Sequence, residues 1–261
     1  MTVNTPPVNA PALLEVDGPL AIITLNRPAS FNAIDIDMAV CLEMLALRVK
    51  QTDSVRVLVL RGAGKAFCAG GDVSLFLAHI DNLEPPISKL LSHLNRFLLV
   101  LREMDKVVLT SVHGAVAGAG FSMAFMGDFC IAAANTRFRP AYAQIGVSPD
   151  AGGTVGLVHA VGARRALQIF LNEPELGLLA KGVEPAELEA KTHQFAMQLA
   201  QLNPVAVAGT KRLVWQSGAV SLEQQLADEA HSIITCMATK EFKSRLAGLR
   251  RRGEGLSNKS T

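Results

Sequence analysis

The sequence predicts an α/β fold, and three features carry that prediction. Short β-branched runs end at Gly, Asn or Pro, stretches of helical periodicity lie between them, and helical pattern fills most of the chain after Gly162. The alternation strand, helix, strand, helix, strand, helix, strand calls for a largely parallel sheet, followed by an all-helical C-terminal part. Of the 261 residues, 49% are hydrophobic, enough for one large core.

The proline-rich start "MTVNTPPVNAPA" reads as a loose tail over residues 1–12. Strands are expected at Leu20–Pro28, Val55–Gly62, Val107–Gly114 and Asp128–Ala134. Helical periodicity covers Asp35–Asp53, where Asp35 is a start signal, and Pro85–Asp105. These elements form a core over 13–195, and a helical region follows over 196–261. Within that region Ser221–Leu249 carries the apolar stripe of a docking helix.

A net charge of +2 argues against a nucleic-acid partner, which needs a basic face. The one basic cluster, "LRRRGEG" at Leu249–Gly255, reads as a solvated helix end. Cys41, Cys68, Cys130 and Cys236 are scattered without metal-ligand spacing, so they read as free thiols of a reducing compartment. The first dozen residues lack the cationic and apolar regions of a signal peptide, and no apolar run is long enough to span a membrane. A cytoplasmic location is expected.

Two glycine-rich turns stand out. "GKAFCAGGDVSLF" (Gly64–Phe76) runs from a strand to a helix, with Gly70 and Gly71 offering close approach to their N–H groups and Asp72 placed as a cap. "HGAVAGAGFSMAFMGD" (His113–Asp128) also leads into a helix, with Gly118, Ala119 and Gly120 at its start, where free N–H groups face outward. Neither turn matches a P-loop or a nucleophile elbow. Two donors converging on one carbonyl oxygen would stabilise an enolate by a few kcal/mol.

Six segments occur in order: "ITLNRPASFNAI", "VLVLRGAGKAFCAGGD", "VHGAVAGAGFSMAFMGDFCIAA", "TRF", "IGVSPDAGGT" and "VGARRAL". Through them the chain resembles the enoyl-CoA hydratase/isomerase, or crotonase, superfamily from about Leu13 to Arg250. The resemblance implies a crotonase-like superhelix of ββα units with C-terminal helices that build homotrimers or hexamers. It implies an acyl-CoA thioester substrate whose carbonyl is polarised by the N–H groups of Gly71 and Ala119. It places the pantetheine and nucleotide along Lys65–Ser74, so that Lys65, Ala66, Ala69, Asp72 and Val73 are expected to line the substrate. No metal or redox cofactor is implied, since coenzyme A enters as part of the substrate.

The departures from that pattern decide the reaction expected. The two glutamates of the family's hydratases fall at Ser122 and Tyr142, neither of which ionises near neutrality. Both are still expected to line the acyl site. Asp150, in "PDAGG", matches the position where isomerases of the family place one carboxylate. As acid and base it would move a proton from the α to the γ carbon, and an apolar pocket would raise its pKa. Alone, the same motif reads as a turn with Asp150 as helix cap. The expectation is therefore a Δ3 to Δ2 enoyl-CoA isomerase. Hydration, another enolate-forming reaction, or a non-catalytic acyl-CoA-binding subunit stand as alternatives. Two further departures are Ser30, where many relatives carry a basic residue, and a shortened Ile169–Lys191 stretch. His113, Cys68 and Asp128 are read as structural.

Overall fold

The chain begins its first sheet with a hairpin. β1 (Ala12–Asp17) pairs antiparallel with β2 (Leu20–Leu25). After α1 (Ile36–Lys50) come β3 (Val57–Gly62), the short α2 (Val73–Ala78) and the long α3 (Glu84–Glu103). β4 (Val107–Val112), β5 (Ala115–Ala117), α4 (Ala119–Met126), β6 (Phe129–Ala132) and β7 (Arg137–Arg139) follow. Then come α5 (Gly153–Val161), α6 (Ala163–Asn172), α7 (Leu188–Ala200) and α8 (Pro204–Gln216). The computed structural model describes residues 10–172 except Gly146, residues 183–216, and isolated positions from 218 to 244.

β3, β4 and β6 add in parallel to β2 of the hairpin, giving the order β1-β2-β3-β4-β6. All six residues of β4 are buried, as a parallel strand covered on both faces requires. Along β3 the faces alternate. Leu58 and Leu60 join the core of α1 and α3, whereas Val59 and Arg61 face the α7 side. α1 starts where Asp35 accepts from the N–H of Met38 at 2.8 Å. It packs along α3, whose Leu94 and Phe97 are fully buried, so Phe97→Ala would cost about 3–5 kcal/mol. On the other face Ser111 of β4 and Thr192 of α7 share a buried hydrogen bond of 2.9 Å.

The structure moves two of the expected boundaries. Ala10 and Ala12, counted with the tail, are buried, and the Asn26 side chain donates to Ala10 O at 3.1 Å. β1 itself lacked a β-branched run; its partner β2 supplies the pairing that makes it a strand. The C-terminal division falls between Ala200 and Gln201, because α7 continues through residue 195 to Ala200. In the second unit, Asn203 opens α8 by accepting from Val205 N at 2.9 Å, and Gln216 donates to Asp228 at 2.7 Å. The basic cluster at 249–255, residues 1–9, residues 173–182 of the shortened stretch, and most of 221–249 lie outside the described residues.

Candidate active site

The first glycine turn is stitched to its surroundings through the backbone. Phe67 N donates to His113 O, Ile34 N to Gly70 O and Asp72 N to Ile34 O, each between 2.8 and 2.9 Å. Gly70 has φ +99, which a side chain resists, and an added β-carbon there would sit 3.5 Å from Ala119 N. The two glycine turns therefore touch. The second turn enters α4 at Gly118, whose φ +50, ψ −127 only glycine adopts readily. The N–H groups of Gly71 and Ala119 have no acceptor among the described residues. Ala119 is the first residue of α4, so its N–H is one of the helix's open donors.

Ser122 lies three residues beyond Ala119, on the same face of α4. It is fully buried, and its Oγ is 2.7 Å from the Tyr142 hydroxyl. That hydroxyl donates to Asp150 Oδ1, also at 2.7 Å. The chain of hydrogen bonds runs from the helix that carries one open donor to the half-buried carboxylate. The Tyr142 ring is held by Phe121, Leu157, Ile169 and Phe170, with the Phe170 ring 6.3 Å away and steeply inclined. Backbone bonds from Ile145 N and Val147 N to Tyr142 O close the turn that follows. Ala141 and Ala151, one before Tyr142 and one after Asp150, have left-handed φ of 62° and 50°.

Burial raises the Asp150 carboxyl above its ordinary value, and the Tyr142 bond opposes this only in part. Burial, and then the Asp150 charge, raise the Tyr142 phenol, which keeps its proton. Asp150 does not cap a helix. The residue before α5 is Gly152, no side chain caps it, and only the Asp150 carbonyl takes part, accepting from Gly153 N.

The other residues singled out in the sequence separate into groups. Asp72 caps α2 through Ser74 N and takes Arg27 at 2.9 Å. Burial alone would raise its carboxyl; the Ser74 and Arg27 donors outweigh that and hold it low. Ala66 is buried and its carbonyl accepts from Asn32, so it offers a ligand no free surface there. Ala69 and Val73 are exposed beside the turn. Lys65 is exposed and lines a cleft of about 520 Å³ between β2–β4 and α7, with Arg61, His113 and Glu189. Gly71, Ala119 and Asp150 do not line that cleft.

His113 bonds Gly64 O at 2.9 Å, and Asp128 accepts from Val108 N at 2.8 Å. Cys68 is buried, which pushes its thiol up to about 12. All four cysteines are free.

Sequence reasoning missed the part played by Arg27 and Asn32. Fully buried Asn32, at φ 56, donates to Ala63 O and Ala66 O and accepts from Arg27 N. Arg27 also bridges Asp72 and Asp35, at 2.9 and 3.1 Å. An Asn beside small turn residues, the side chain that best tolerates a left-handed backbone, was the available signal.

Residues 15–254 match the family described as "Enoyl-CoA hydratase/isomerase". The chain is 32% identical over 242 residues to a trans-2-decenoyl-[acyl-carrier-protein] isomerase of Streptococcus mutans, covering 88% of this chain and 91% of that protein. It is 28% identical to a short-chain-enoyl-CoA hydratase of Clostridium acetobutylicum, over 95% of this chain and 98% of that one. The crystal structure of an enoyl-CoA hydratase from Polaromonas sp. JS666 superposes with a TM-score of 0.85 at 26% identity, over 92% of this chain and 97% of that chain. With the match running through both glycine turns and the Asp150 segment, the chain belongs to the enoyl-CoA hydratase/isomerase, or crotonase, family of acyl-CoA enzymes.

Proposed function

We propose that the protein shifts a double bond from Δ3 to Δ2 in an enoyl thioester, with Asp150 as its acid and base. The observation that carries this reading is the Ser122–Tyr142–Asp150 chain. Where the resemblance puts two hydratase glutamates, two hydroxyls bond each other and leave one carboxylate to act.

The steps need nothing beyond that carboxylate and two donors. Asp150 takes a proton from the carbon α to the thioester, and the C–H electron pair enters the conjugated enolate. Gly71 N–H and Ala119 N–H hold the oxygen where charge develops, worth about 3–4 kcal/mol for each well-placed donor. The same carboxyl returns the proton at the γ carbon, leaving the double bond between the α and β carbons. A raised carboxyl pKa makes Asp150 a stronger base, and burial supplies that shift.

The Streptococcus mutans relative is named for an isomerase reaction on an acyl-carrier-protein thioester, so both that carrier and coenzyme A are substrates to offer. Hydration is the second reading, favoured by the hydratase names of other relatives. A homotrimer or hexamer is proposed from family resemblance, and sedimentation would test it.

The decisive experiment incubates 3-enoyl and 2-enoyl thioesters with protein in D₂O and follows mass. Isomerisation with α and γ deuterium exchange, lost about 10³-fold or more in Asp150→Asn, is expected. Gain of a water mass would favour hydration. Turnover undiminished in Asp150→Asn would sink the assignment of the base.

A further inference from the structure

We infer that Tyr142, held from behind by Ser122, is a positioning residue that reserves Oδ2 of Asp150 for the proton being moved. The inference rests on the reading of Asp150 as acid and base, and deepens it.

The direction of the hydrogen bonds follows from counting protons. A phenol carries one proton, and an ionised carboxylate accepts only. The Tyr142 hydroxyl is 2.7 Å from both Ser122 Oγ and Asp150 Oδ1, so its one proton goes to Asp150. Ser122 must then donate to the phenolic oxygen. Ser122 has little freedom to do otherwise: it is fully buried, and the backbone of Gly153 lies against its side chain. The chain reads Ser122 to Tyr142 to Asp150, with every proton assigned.

This arrangement makes the two carboxylate oxygens unequal. Oδ1 is filled by the phenol in both protonation states. The carboxyl's other hydrogen bond is from Asp150's own N–H, and no other residue's side chain bonds Oδ2 among the described residues, so Oδ2 is the oxygen that takes and returns the substrate proton. Nothing in the chain has to turn over during the cycle, which is the kind of preorganisation that keeps a base in line. Removing the phenol would free the carboxyl to rotate and let either oxygen take the proton. It would also remove a donor that favours the ionised form.

The surroundings simplify the test. α4 carries no ionisable side chain; Arg137 and Arg139 on β7, His159 on α5, and Arg164 and Arg165 on α6 are exposed. Tyr142 is the one neighbouring side chain among the described residues that shifts the Asp150 carboxyl. It is also the only tyrosine in the chain. Growth on 3-fluorotyrosine therefore edits this phenol alone, without changing the protein's shape.

The readout is the acid limb of kcat/KM against pH, measured with a 3-enoyl thioester. In Tyr142→Phe its midpoint should rise by about one unit, with kcat at neutral pH falling about tenfold and KM holding. The more acidic fluorophenol should move the midpoint the opposite way. Ser122→Ala should shift it upward by a smaller amount. If Tyr142→Phe does not fold, the fluorotyrosine and Ser122→Ala measurements decide alone. A midpoint unmoved by fluorination and by Ser122→Ala, or an unmoved midpoint in a folded Tyr142→Phe, overturns the positioning role. Those outcomes would leave the isomerase reading intact so long as Asp150→Asn stays inactive; an active Asp150→Asn overturns both.

Discussion

Ala141 and Ala151 both hold left-handed backbone, at φ 62° and 50°, and between them they bracket Tyr142 and Asp150. An L-residue there stores about 1 kcal/mol that glycine would not. Ala151 also buries its methyl in the core, whereas Ala141 is only half-buried. Ala141→Gly should therefore stabilise the protein by about 0.5–1 kcal/mol in urea unfolding, while Ala151→Gly, which gives up buried surface, should be near neutral.

Stability should depend on pH through Asp150. Its carboxyl is raised by burial, so between its unfolded and folded values the folded state holds a proton that the unfolded chain has released. Stability contributed there is present below the ordinary carboxylate value, about 3.8, and is lost as pH rises through the raised value. Asp150→Asn keeps an acceptor for Tyr142 and removes this loss. The variant should be more stable than wild type at neutral pH and converge with it near pH 3–4, as thermal melts across that range would show.

The donor at Ala119 allows an unusually clean deletion. As the first residue of α4 it stands where proline is tolerated, because the N–H there has no helical acceptor. Ala119→Pro should leave the helix in place and reduce kcat about 10²–10³-fold, the loss seen when one oxyanion donor is removed. Thioester binding, followed by calorimetry, should change far less.

Cys68 is expected to be inert. Its thiol is buried and pushed up to about 12, so almost none of it is thiolate near neutrality. A maleimide at pH 7.5 should leave Cys68 unmodified until the chain is denatured. Peptide mass mapping before and after urea would show the difference.

The parallel strands and long helices were legible because their patterns are local. β-branched runs and an Asp start signal need no partner to be read: β2, β3, β4, β6 and α1 fall within the expected stretches, and α3 starts one residue early. β5 and β7 have three residues each and exist through pairing with one another, which no local pattern encodes. The glycine turns were visible, but the fastening of the first by Arg27 and Asn32 was not, since it joins residues up to 45 positions apart. The Asp150 segment on its own reads as a cap, and as a base only with the family resemblance added. Its side chain bonds Tyr142, which follows Ala141, itself in a backbone conformation that alanine seldom takes.

The seat of Ser122 has a consequence for how this sequence can change. The Gly153 backbone rests on the serine, whose side chain is wholly enclosed. A glutamate there would carry three more heavy atoms and would have to push the start of α5 outward, while a glutamate in place of Tyr142 would strip Asp150 of its donor. Either replacement adds a second carboxylate only by disturbing a contact around the first: the seat against Gly153, or the donor to Asp150. Under the proposed role of Asp150, each single step toward two carboxylates costs the one-carboxylate arrangement a contact, so geometry as well as residue identity separates the two chemistries.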